Sequence, residues 1–425
     1  PPPGDESDKY DALAPDEQKQ LHNSTEIMVA TTSNQGADWD VKQLTYNTSP
    51  DLAPVTASNG SRAVVVWRSV YASDPGDEGK GLLNFDTRDA IYVSFYNGNS
   101  WGNARMVYNG STGTVAGIQA AMLPNGTALV AFILDRGSDD SDEPYQCYEL
   151  AYRTVESDGT LGDLVVLTND TETDTNPQVA AVSKGGGSYF LLAWYSTQGG
   201  GDIRLQAVDA DGQPHTGGNY AIPASVNAMT QGSGLVISAD FRLAKREAGS
   251  DVEGLTLVWP QVVNDPDTGA SDHSVLYGVQ LCDIGGETRL SAPQALITLP
   301  DRTLANSFSA WQEIGGQGNA YIFGTLYGPE EAEMIPRYKE PVAKDTDQLI
   351  TGGGTLTEKA VEVEAIAVDY ENLQISSYTP VVFTLRNTGA SQLTRLTVTV
   401  DGYTATLASE LDPGESAPVT VMYKT

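Results

Sequence analysis

Cysteine, histidine and positive charge are scarce in this chain of 425 residues. It contains two cysteines, three histidines, and 24 Lys and Arg against 56 Asp and Glu, which gives a formal net charge of −32 at pH 7. Two isolated cysteines, Cys147 and Cys282, exclude a disulfide framework and a CxxC metal or redox motif. An excess of acids on this scale argues against a nucleic-acid partner and against an anionic membrane surface, because both partners need clustered cations.

Long apolar runs and helical periodicity are also missing. No stretch of about 18 apolar residues occurs, so insertion into a membrane is not expected. The chain instead has many Gly and Tyr residues and short Val- and Thr-rich runs with alternating polarity, which is typical of all-β proteins. It starts at Pro1 without Met and ends on a strand-like run. We therefore expect it to be a piece of a longer polypeptide with neighbouring domains.

An internal repeat organises residues 24–328. Each copy contains a glycine turn, at Gly60, Gly126, Gly186, Gly249 and Gly318, followed by an apolar strand at 63–67, 128–132, 190–194, 255–259 and 320–323. Asn-Gly between two strand-like runs, as at Asn59-Gly60, is a strong hairpin signal because both residues accept positive φ. Third and fourth strands follow in the first four copies. The missing pair of the fifth copy is predicted at 26–31 and 39–46, ahead of the first complete copy.

This pattern predicts a five-bladed β-propeller whose ring is closed by the N-terminal strands, since such closure removes open sheet edges. A six-bladed ring that uses 1–23 and 330–350 is the alternative. Residues 1–23 are Pro-rich and acidic and are predicted to be a flexible linker. Residues 329–357 lose the repeat and are predicted to be a second linker. Alternating strands restart in 358–425 and predict a small immunoglobulin-like β-sandwich.

The C-terminal region resembles the bacterial CARDB (cell-adhesion-related) immunoglobulin-like domains. The resemblance lies in the run FTLRNTG at 383–389, then VTVDG at 398–402, then LDPGES at 411–416. It covers the last sixth of the chain and implies a sandwich of the kind found in adhesion proteins of the bacterial surface.

Two turns are similar to the Asp-box of sialidase propellers, a S/T-x-D-x-G-x-x-W turn. One runs from Thr32 to Trp39 with Asn34 in the Asp position, and a more degenerate copy runs from Ser94 to Trp101. These boxes are structural in sialidases and lie away from the catalytic face. The resemblance therefore implies a propeller and says nothing about activity, and the sialidases' F-R-I-P signature is absent.

The loops on one face of the predicted propeller are long and acidic, and loops on a rigid scaffold commonly carry binding residues. Glycosidases need two carboxylates facing across a sugar, but no pair of acids stands out here, so catalytic residues stay unassigned. Arginine could hold an anionic sugar by a bidentate contact, and an exposed aromatic ring could stack on a sugar. The candidate ligand-binding residues are Arg68, Tyr71, Asp86, Arg88, Asp89, Asp135 and Trp311.

The acidic loops also suggest Ca²⁺, which takes six to eight hard oxygen ligands. The candidate metal ligands form two clusters: Asp139, Asp140 and Asp142 in one, and Asp265, Asp267 and Asp272 in the other. Neither matches the D-x-D-x-D-G calcium loop with its closing Glu, so solvated acidic loops are the alternative interpretation. Calcium is the only cofactor that the sequence suggests.

Tryptophan occupies one repeat position in several copies, as Trp67, Trp194 and Trp259, and Phe132 and Phe323 replace it elsewhere. Such regularity predicts packing between blades rather than a platform for sugars.

The sequence favours a non-catalytic binding or adhesion region of a large extracellular protein on the surface of a bacterium, Gram-positive by composition. Its expected partner is a glycan or a surface protein. The first alternative is a glycoside hydrolase or sialidase-like enzyme that uses the acidic face. The second is a structural stalk segment.

Overall fold

The structure, a computed structural model, describes part of the chain, and the statements below concern these residues: 25–32, 37–47, 49–72, 87–109, 115–135, 148–184, 187–215, 225–226, 236–244, 255–264, 271–284, 287–299, 303–312, 319–327, 348–355, 361–368, 378–389 and 392–424. They fall into two compact units, one up to His215 and one from Ser225 onward. All strand pairs in the described part are antiparallel, and its helical content is one 3-10 turn at Gln198–Gly200. No described helix is long and apolar enough to cross a membrane. The all-β prediction is confirmed.

The first unit begins with a two-stranded sheet. Strand β1 (Met28–Thr31) pairs with β2 (Asp40–Gln43), as expected from the runs at 26–31 and 39–46. Ile27 and Val29 are buried against Val65 and Trp67 of the sheet that follows in the chain. The N-terminal strands are thus anchored by their apolar face.

Three four-stranded sheets follow, and each is a meander of consecutive strands. The first sheet contains β3 (Asp51–Ser58), β4 (Ala63–Ala72), β5 (Thr87–Tyr96) and β6 (Arg105–Asn109). The second contains β7 (Val115–Met122), β8 (Ala128–Asp135), β9 (Tyr148–Val155) and β10 (Leu161–Val166). The third contains β11 (Asp174–Lys184), β12 (Gly187–Ser196), β13 (Asp202–Val208) and β14 (Pro214–His215). The predicted apolar strands are β4, β8 and β12, whereas the fourth strand predicted at 219–224 lies outside the described residues.

The three sheets pack against one another in the order of the chain. Val130 and Phe132 of β8 share a core with the first sheet, and Leu129 and Ala131 share a core with the third. Alternate residues of a strand point to opposite faces of its sheet. Burial of both faces explains why β8 reads as one continuous apolar run instead of alternating.

The first strand of each sheet carries the same irregularity. The pairing register shifts by one extra residue between Leu52 and Val55 in β3, between Ala116 and Gln119 in β7, and between Thr175 and Gln178 in β11. A residue with left-handed backbone lies in each bulge: Ala53 (φ 49°), Gly117 (φ 57°) and Asn176 (φ 49°). Bulges bend a strand and redirect its side chains, so the repeat places a bend at the same point of three neighbouring strands.

The second unit contains two further sheets with the pairing of the repeat. Its first sheet contains β15 (Arg242–Ala244), β16 (Thr256–Asn264), β17 (Ser271–Ile284), β18 (Glu287–Leu290) and β19 (Gln294–Leu299), and the long β17 pairs with both β18 and β19. Its second sheet contains β20 (Thr303–Gln312), β21 (Asn319–Tyr327) and β22 (Gln348–Thr355).

Strand β22 corrects two expectations. It lies inside the predicted linker 329–357, and it pairs with β21 along its whole length. The edge of β21 that was predicted to receive the N-terminal strands is therefore occupied by β22. Three consecutive glycines in QLITGGGT hid this strand, because glycine is depleted in strands and the run shows no alternation.

The C-terminal residues form two small sheets on one core. The strands are β23 (Val361–Val368), β24 (Tyr378–Asn387), β25 (Thr397–Val400), β26 (Tyr403–Thr406) and β27 (Ser416–Lys424). Strand β24 pairs with β23 and β27, while β25 pairs with β26. The shared core consists of Phe383, Leu385, Leu393, Leu407, Leu411, Val419 and Val421.

A buried asparagine connects two of the turns that carry the CARDB resemblance. Asn387 is fully buried; its side-chain Nδ2 donates to the Leu411 carbonyl at 2.9 Å, and its Oδ1 accepts from Gly389 N at 2.9 Å. The N-x-G and L-x-P-G-E-S turns therefore contact each other. This contact gives the motif a structural reason, because the buried amide satisfies backbone groups of both turns.

Candidate functional site

A cavity of about 320 Å³ lies in the first unit, where the beginnings of β7, β9 and β11 meet residues of β4 and β8. Its lining combines apolar walls with a guanidinium, a carboxylate, a phenol, an amide and a hydroxyl: Arg68, Val115, Ala116, Gly117, Ile133, Asp135, Tyr148, Thr175 and Asn176. Apolar walls with a few convergent polar groups are typical of small-molecule sites.

The strand bulges shape this cavity. At Gly117 a Cβ would come within 2.8 Å of Pro177 Cδ and 3.5 Å of Ile133 Cγ1, so glycine is required by space as well as by its positive φ. Asn176 occupies the matching bulge of the next sheet, and asparagine tolerates the left-handed region better than most residues. Its Oδ1 accepts from Gln178 Nε2 at 3.0 Å. The two bulges thus bring parts of two neighbouring strands to one cavity.

An ion pair lies beside the cavity. Arg68 Nη2 is 3.0 Å from Asp89 Oδ2, and the same oxygen accepts from the Val115 backbone N–H at 2.7 Å. The Asp89 side chain is fully buried, while about a quarter of the Arg68 side chain is exposed. Asp89 Oδ1 and Arg68 Nε are both buried and have no hydrogen bond to the part of the chain that the structure describes. Asp89 therefore orients Arg68 and fixes the start of β7, but does not itself line the cavity.

Burial raises the pKa of the Asp89 carboxyl above its ordinary value, although the Val115 N–H and the Arg68 charge act in the opposite direction. When Asp89 is ionised, it balances the charge of Arg68 next to it. Asp135 is the carboxylate of the described lining, and it too has an interaction partner. Among the described residues the lining holds one carboxylate, whereas glycosidases that use paired carboxylates need two across the sugar.

The predicted ligand-binding residues are brought together in part. Arg68, Asp89 and Asp135 converge at or beside the cavity. Tyr71 and Arg88 face each other in the pairing of β4 with β5, a register that describes their backbones only. Trp311 lies on β20 in the second unit, opposite Tyr321. Asp86 lies outside the described residues.

The predicted metal ligands are not tested. Asp139, Asp140, Asp142, Asp265 and Asp267 lie outside the described residues, and Asp272 is described only as part of β17.

The tryptophans pack as the repeat predicts where two sheets are described side by side. Trp67 is 1% exposed, contacts Ile27 and Val29 ahead of the first sheet, and stacks on Tyr92 with ring centroids 5.9 Å apart. Trp194 is 8% exposed and contacts Ile133 and Leu150 of the second sheet. Neither ring is available as a platform for a sugar.

Sequence reasoning missed the cavity residues contributed by the bulges, above all Gly117, Asn176 and the neighbouring Thr175. It also missed Tyr148, the first residue of β9. One signal was present: Pro54 and Pro177 stand inside strands, where proline is confined to edges and bulges.

Known proteins offer weak likenesses. No protein-family model matches the chain, and no curated protein sequence matches it. A Trypanosoma rangeli sialidase in complex with the inhibitor DANA is 11% identical with a TM-score of 0.36, and the match covers 77% of this chain and 50% of the sialidase. The polysaccharide lyase Uly1 is 12% identical with a TM-score of 0.38, over 94% and 100% of the two chains.

An α-L-arabinofuranosidase from Lactobacillus brevis is 10% identical with a TM-score of 0.34, over 71% of this chain and 90% of the enzyme. This chain thus corresponds to half the length of the sialidase chain. With TM-scores below 0.5, these likenesses say nothing about the activity of this chain.

Proposed function

We propose that the protein is a non-catalytic saccharide-binding protein, and that the cavity beside Arg68 holds one sugar unit. The observation that carries this proposal is the lining itself. It offers hydrogen-bond donors and acceptors on Arg68, Asp135, Thr175 and Asn176, together with the Tyr148 ring. Sugars present hydroxyl groups around an apolar ring face, so they suit polar groups set among apolar and aromatic walls.

The charges favour a neutral sugar over an anionic one. Arg68 is already paired with Asp89, so its charge is balanced before a ligand binds. A net charge of −32 for the whole chain repels anions further.

The wider proposal follows the sequence. The chain is a β-propeller of consecutive four-stranded blades followed by an immunoglobulin-like sandwich, and it acts outside a bacterial cell as part of a larger surface protein. The repeated meander sheets support the first statement. The two C-terminal sheets on one core and the contact between the turns at Asn387 and Leu411 support the second.

A glycan array with the intact chain, followed by calorimetric titration of the best saccharide, tests the binding. Two variants probe the cavity: Asp135→Asn removes a charge, and Asn176→Gly removes a side chain while keeping a residue that accepts φ 49°. Each should weaken the titrated saccharide about tenfold or more, which corresponds to about 1.4 kcal/mol. Asp163→Asn, on an exposed position of β10, is the matched control and should bind as the wild type does.

A panel of chromogenic glycosides tests the absence of catalysis. Turnover of any substrate that Asp135→Asn abolishes would replace the binding proposal by the hydrolase alternative. Absence of any array signal, or a saccharide whose affinity neither cavity variant changes, would overturn the proposed site.

A further inference from the structure

Two clusters in the first unit share one architecture. The first Asp–Trp cluster contains Glu26, Thr45, Asn47, Asp51 and Trp67; the second contains Glu149, Thr168, Asp170, Asp174 and Trp194. The first four residues of each cluster have the same spacing along the chain: Glu26, Thr45, Asn47 and Asp51 correspond to Glu149, Thr168, Asp170 and Asp174. In each cluster the Trp Nε1 donates to an Asp Oδ1 at 3.2 Å.

The backbone contacts of the two clusters also correspond. Thr45 Oγ1 accepts from Ile27 N at 2.8 Å, and Thr168 Oγ1 accepts from Leu150 N at 2.8 Å. Glu26 Oε1 accepts from Asn47 N at 2.8 Å, as Glu149 Oε1 accepts from Asp170 N at 3.1 Å.

The turn that follows is the same as well. Asn47 Oδ1 accepts from Ser49 N at 2.7 Å, and Asp170 Oδ1 accepts from Glu172 N at 2.8 Å. Both side chains are therefore held by the same kind of turn, and the equivalence places Asp170 Oδ2 where Asn47 has its Nδ2.

The chemical difference between the clusters lies at this one atom. Asn47 Nδ2 donates to Asp51 Oδ2 at 2.9 Å, so both carboxylate oxygens of Asp51 are hydrogen-bonded. Asp170 has no amide to donate. Asp174 Oδ2 and Glu149 Oε2 are buried and accept no hydrogen bond from the described residues, in side chains of residues that are 1% and 2% exposed. Glu26 Oε2 of the first cluster is in the same state as Glu149 Oε2, so Asp174 Oδ2 is the oxygen that distinguishes the second cluster.

Three carboxylates converge at the second cluster. One oxygen from each of Glu149, Asp170 and Asp174 lies within 4.8 Å of the others. Oxygens that bind one Ca²⁺ at about 2.3–2.6 Å can be at most about 5 Å apart, so these separations fit a common ion. A buried carboxylate oxygen without a hydrogen bond is costly, and a cation bound to it offsets the cost.

We propose that the second Asp–Trp cluster is a calcium-binding site, with Glu149, Asp170 and Asp174 as its carboxylate ligands. Asp170 is exposed and gives the ion access to solvent, so that water completes the coordination. Carboxylate oxygens are hard ligands, which favours Ca²⁺ over the thiolate- and imidazole-seeking metals. This inference stands apart from the proposed saccharide binding.

The site adjoins the cavity through the chain. Glu149 follows Tyr148, and Asp174 precedes Thr175 and Asn176, all three of which line the cavity. A bound Ca²⁺ would hold the start of β9 against the start of β11. The same ion would therefore fix two walls of the cavity.

The test uses the intact chain, freed of metal with EDTA and kept without saccharide. Calcium should raise the melting temperature by several degrees, because a ligand that binds only the folded state stabilises it. Terbium in place of calcium should give emission sensitised by Trp194, whose indole contacts Asp174. Asp170→Asn should lose both effects, and the exposed-acid control Asp163→Asn should keep them.

Two further variants isolate the donor ring. Trp194→Phe should lose most of the sensitised terbium emission but keep the melting shift with calcium. Trp67→Phe, the counterpart in the first cluster, should keep the emission.

The chain also allows the reverse experiment. Asn47→Asp gives the first cluster the three carboxylates of the second, so calorimetric titration should gain one calcium equivalent over the wild type. The proposal is overturned if calcium leaves the wild-type melting temperature unchanged, or if Asp170→Asn binds terbium and calcium as the wild type does.

Discussion

The first and second Asp–Trp clusters present the same backbone and the same indole hydrogen bond around two different centres. In the first, an asparagine amide completes the bonding of Asp51, while Glu26 Oε2 accepts no hydrogen bond from the described residues. In the second, a carboxylate takes the place of that amide, so that Asp174 Oδ2 joins Glu149 Oε2 as a buried oxygen without a donor among the described residues. The replacement of Asn47 by Asp170 thus distinguishes the first cluster, which has a structural role, from the second, which is the proposed ion site. Burial raises the pKa of both Glu149 and Asp174, and the neighbouring charge of Asp170 adds to the rise. The Thr168 hydroxyl beside both carboxyls, the Asp170 N–H at Glu149, and the Ser196 and Trp194 side chains at Asp174 act in the opposite direction.

The largest effect is expected from removing the indole that the clusters share. Trp67→Ala should lower the free energy of unfolding by about 3–5 kcal/mol, since the ring is fully buried between β4 and the N-terminal strands. Trp194→Ala should cost somewhat less, because Trp194 is more exposed. Denaturant unfolding measures both. Trp67→Phe is the matched control, as Phe132 fills the equivalent position of the second sheet. If both alanine variants lose less than about 1 kcal/mol of unfolding free energy, the ring does not hold neighbouring sheets together.

The next effect is a difference between the two clusters in how an aspartate-to-asparagine substitution changes the stability of the fold. In EDTA, Asp51→Asn should destabilise the protein by about 1–3 kcal/mol, because one of the two donors facing Asp51 loses its acceptor. Asp174→Asn should cost less or stabilise, because it replaces a buried carboxylate oxygen without a donor by an amide that can donate to Glu149 or Asp170. Thermal unfolding of both variants in EDTA makes the comparison. Equal losses in the two would remove the distinction drawn between the clusters.

A moderate effect is expected at the bulge between the two clusters. Gly117→Ala should cost about 1–3 kcal/mol, since alanine would adopt φ 57° and place its Cβ 2.8 Å from Pro177 Cδ. Gly60→Ala is the control for backbone strain alone, because Gly60 also has positive φ but no atom within 4 Å of the added Cβ. Gly117→Ala should therefore be the more destabilised of the two in urea unfolding, and the reverse order would argue against close packing at the bulge.

The smallest effect concerns pH at the junction before β7, where Val115 replaces the aspartate of the clusters. Burial raises the pKa of Asp89, so the folded protein holds this proton more tightly than the unfolded chain does. The resulting stabilisation is complete below the ordinary aspartate pKa and is lost as the pH rises through the raised value. Asp89→Asn should lack this loss.

The measurement is the difference in melting temperature between wild type and Asp89→Asn, in EDTA over that pH range. This difference should shift in favour of Asp89→Asn as the pH rises. Glu149 and Asp174 titrate in both proteins and cancel. A difference that grows in favour of the wild type as the pH rises would contradict the raised pKa.

Part of the fold could be predicted because burial leaves a simple mark on the sequence. The continuous apolar runs of β4, β8 and β12 reflect burial on both faces, and their spacing gave the repeat. The bulges were not predicted, because a one-residue register shift leaves the apolar pattern unchanged, although Pro54 and Pro177 mark two of them. Strand β22 was missed because three glycines hide a strand whose place is set by its partner β21.

The candidate site was predicted less completely. Arg68, Asp89 and Asp135 were chosen from their position at strand ends, and they do converge. The second Asp–Trp cluster was overlooked, although a sequence signal exists: L-T-x-N-T-x-x-D at 44–51 and L-T-x-D-T-x-x-D at 167–174. The cluster joins the third strand of one sheet to the first strand of the next. When the repeat is defined as one sheet per copy, the residues of this motif fall in two different copies, and the motif is overlooked.

Each four-stranded sheet of the first unit is made of strands that are consecutive in the chain, and each packs on the sheet before it. Contacts within a sheet are therefore local, which favours rapid formation. Trp194 of the third sheet packs on Ile133 and Leu150 of the second. Synthesis begins at the N-terminus. Each sheet therefore leaves the ribosome before the sheet that packs on it.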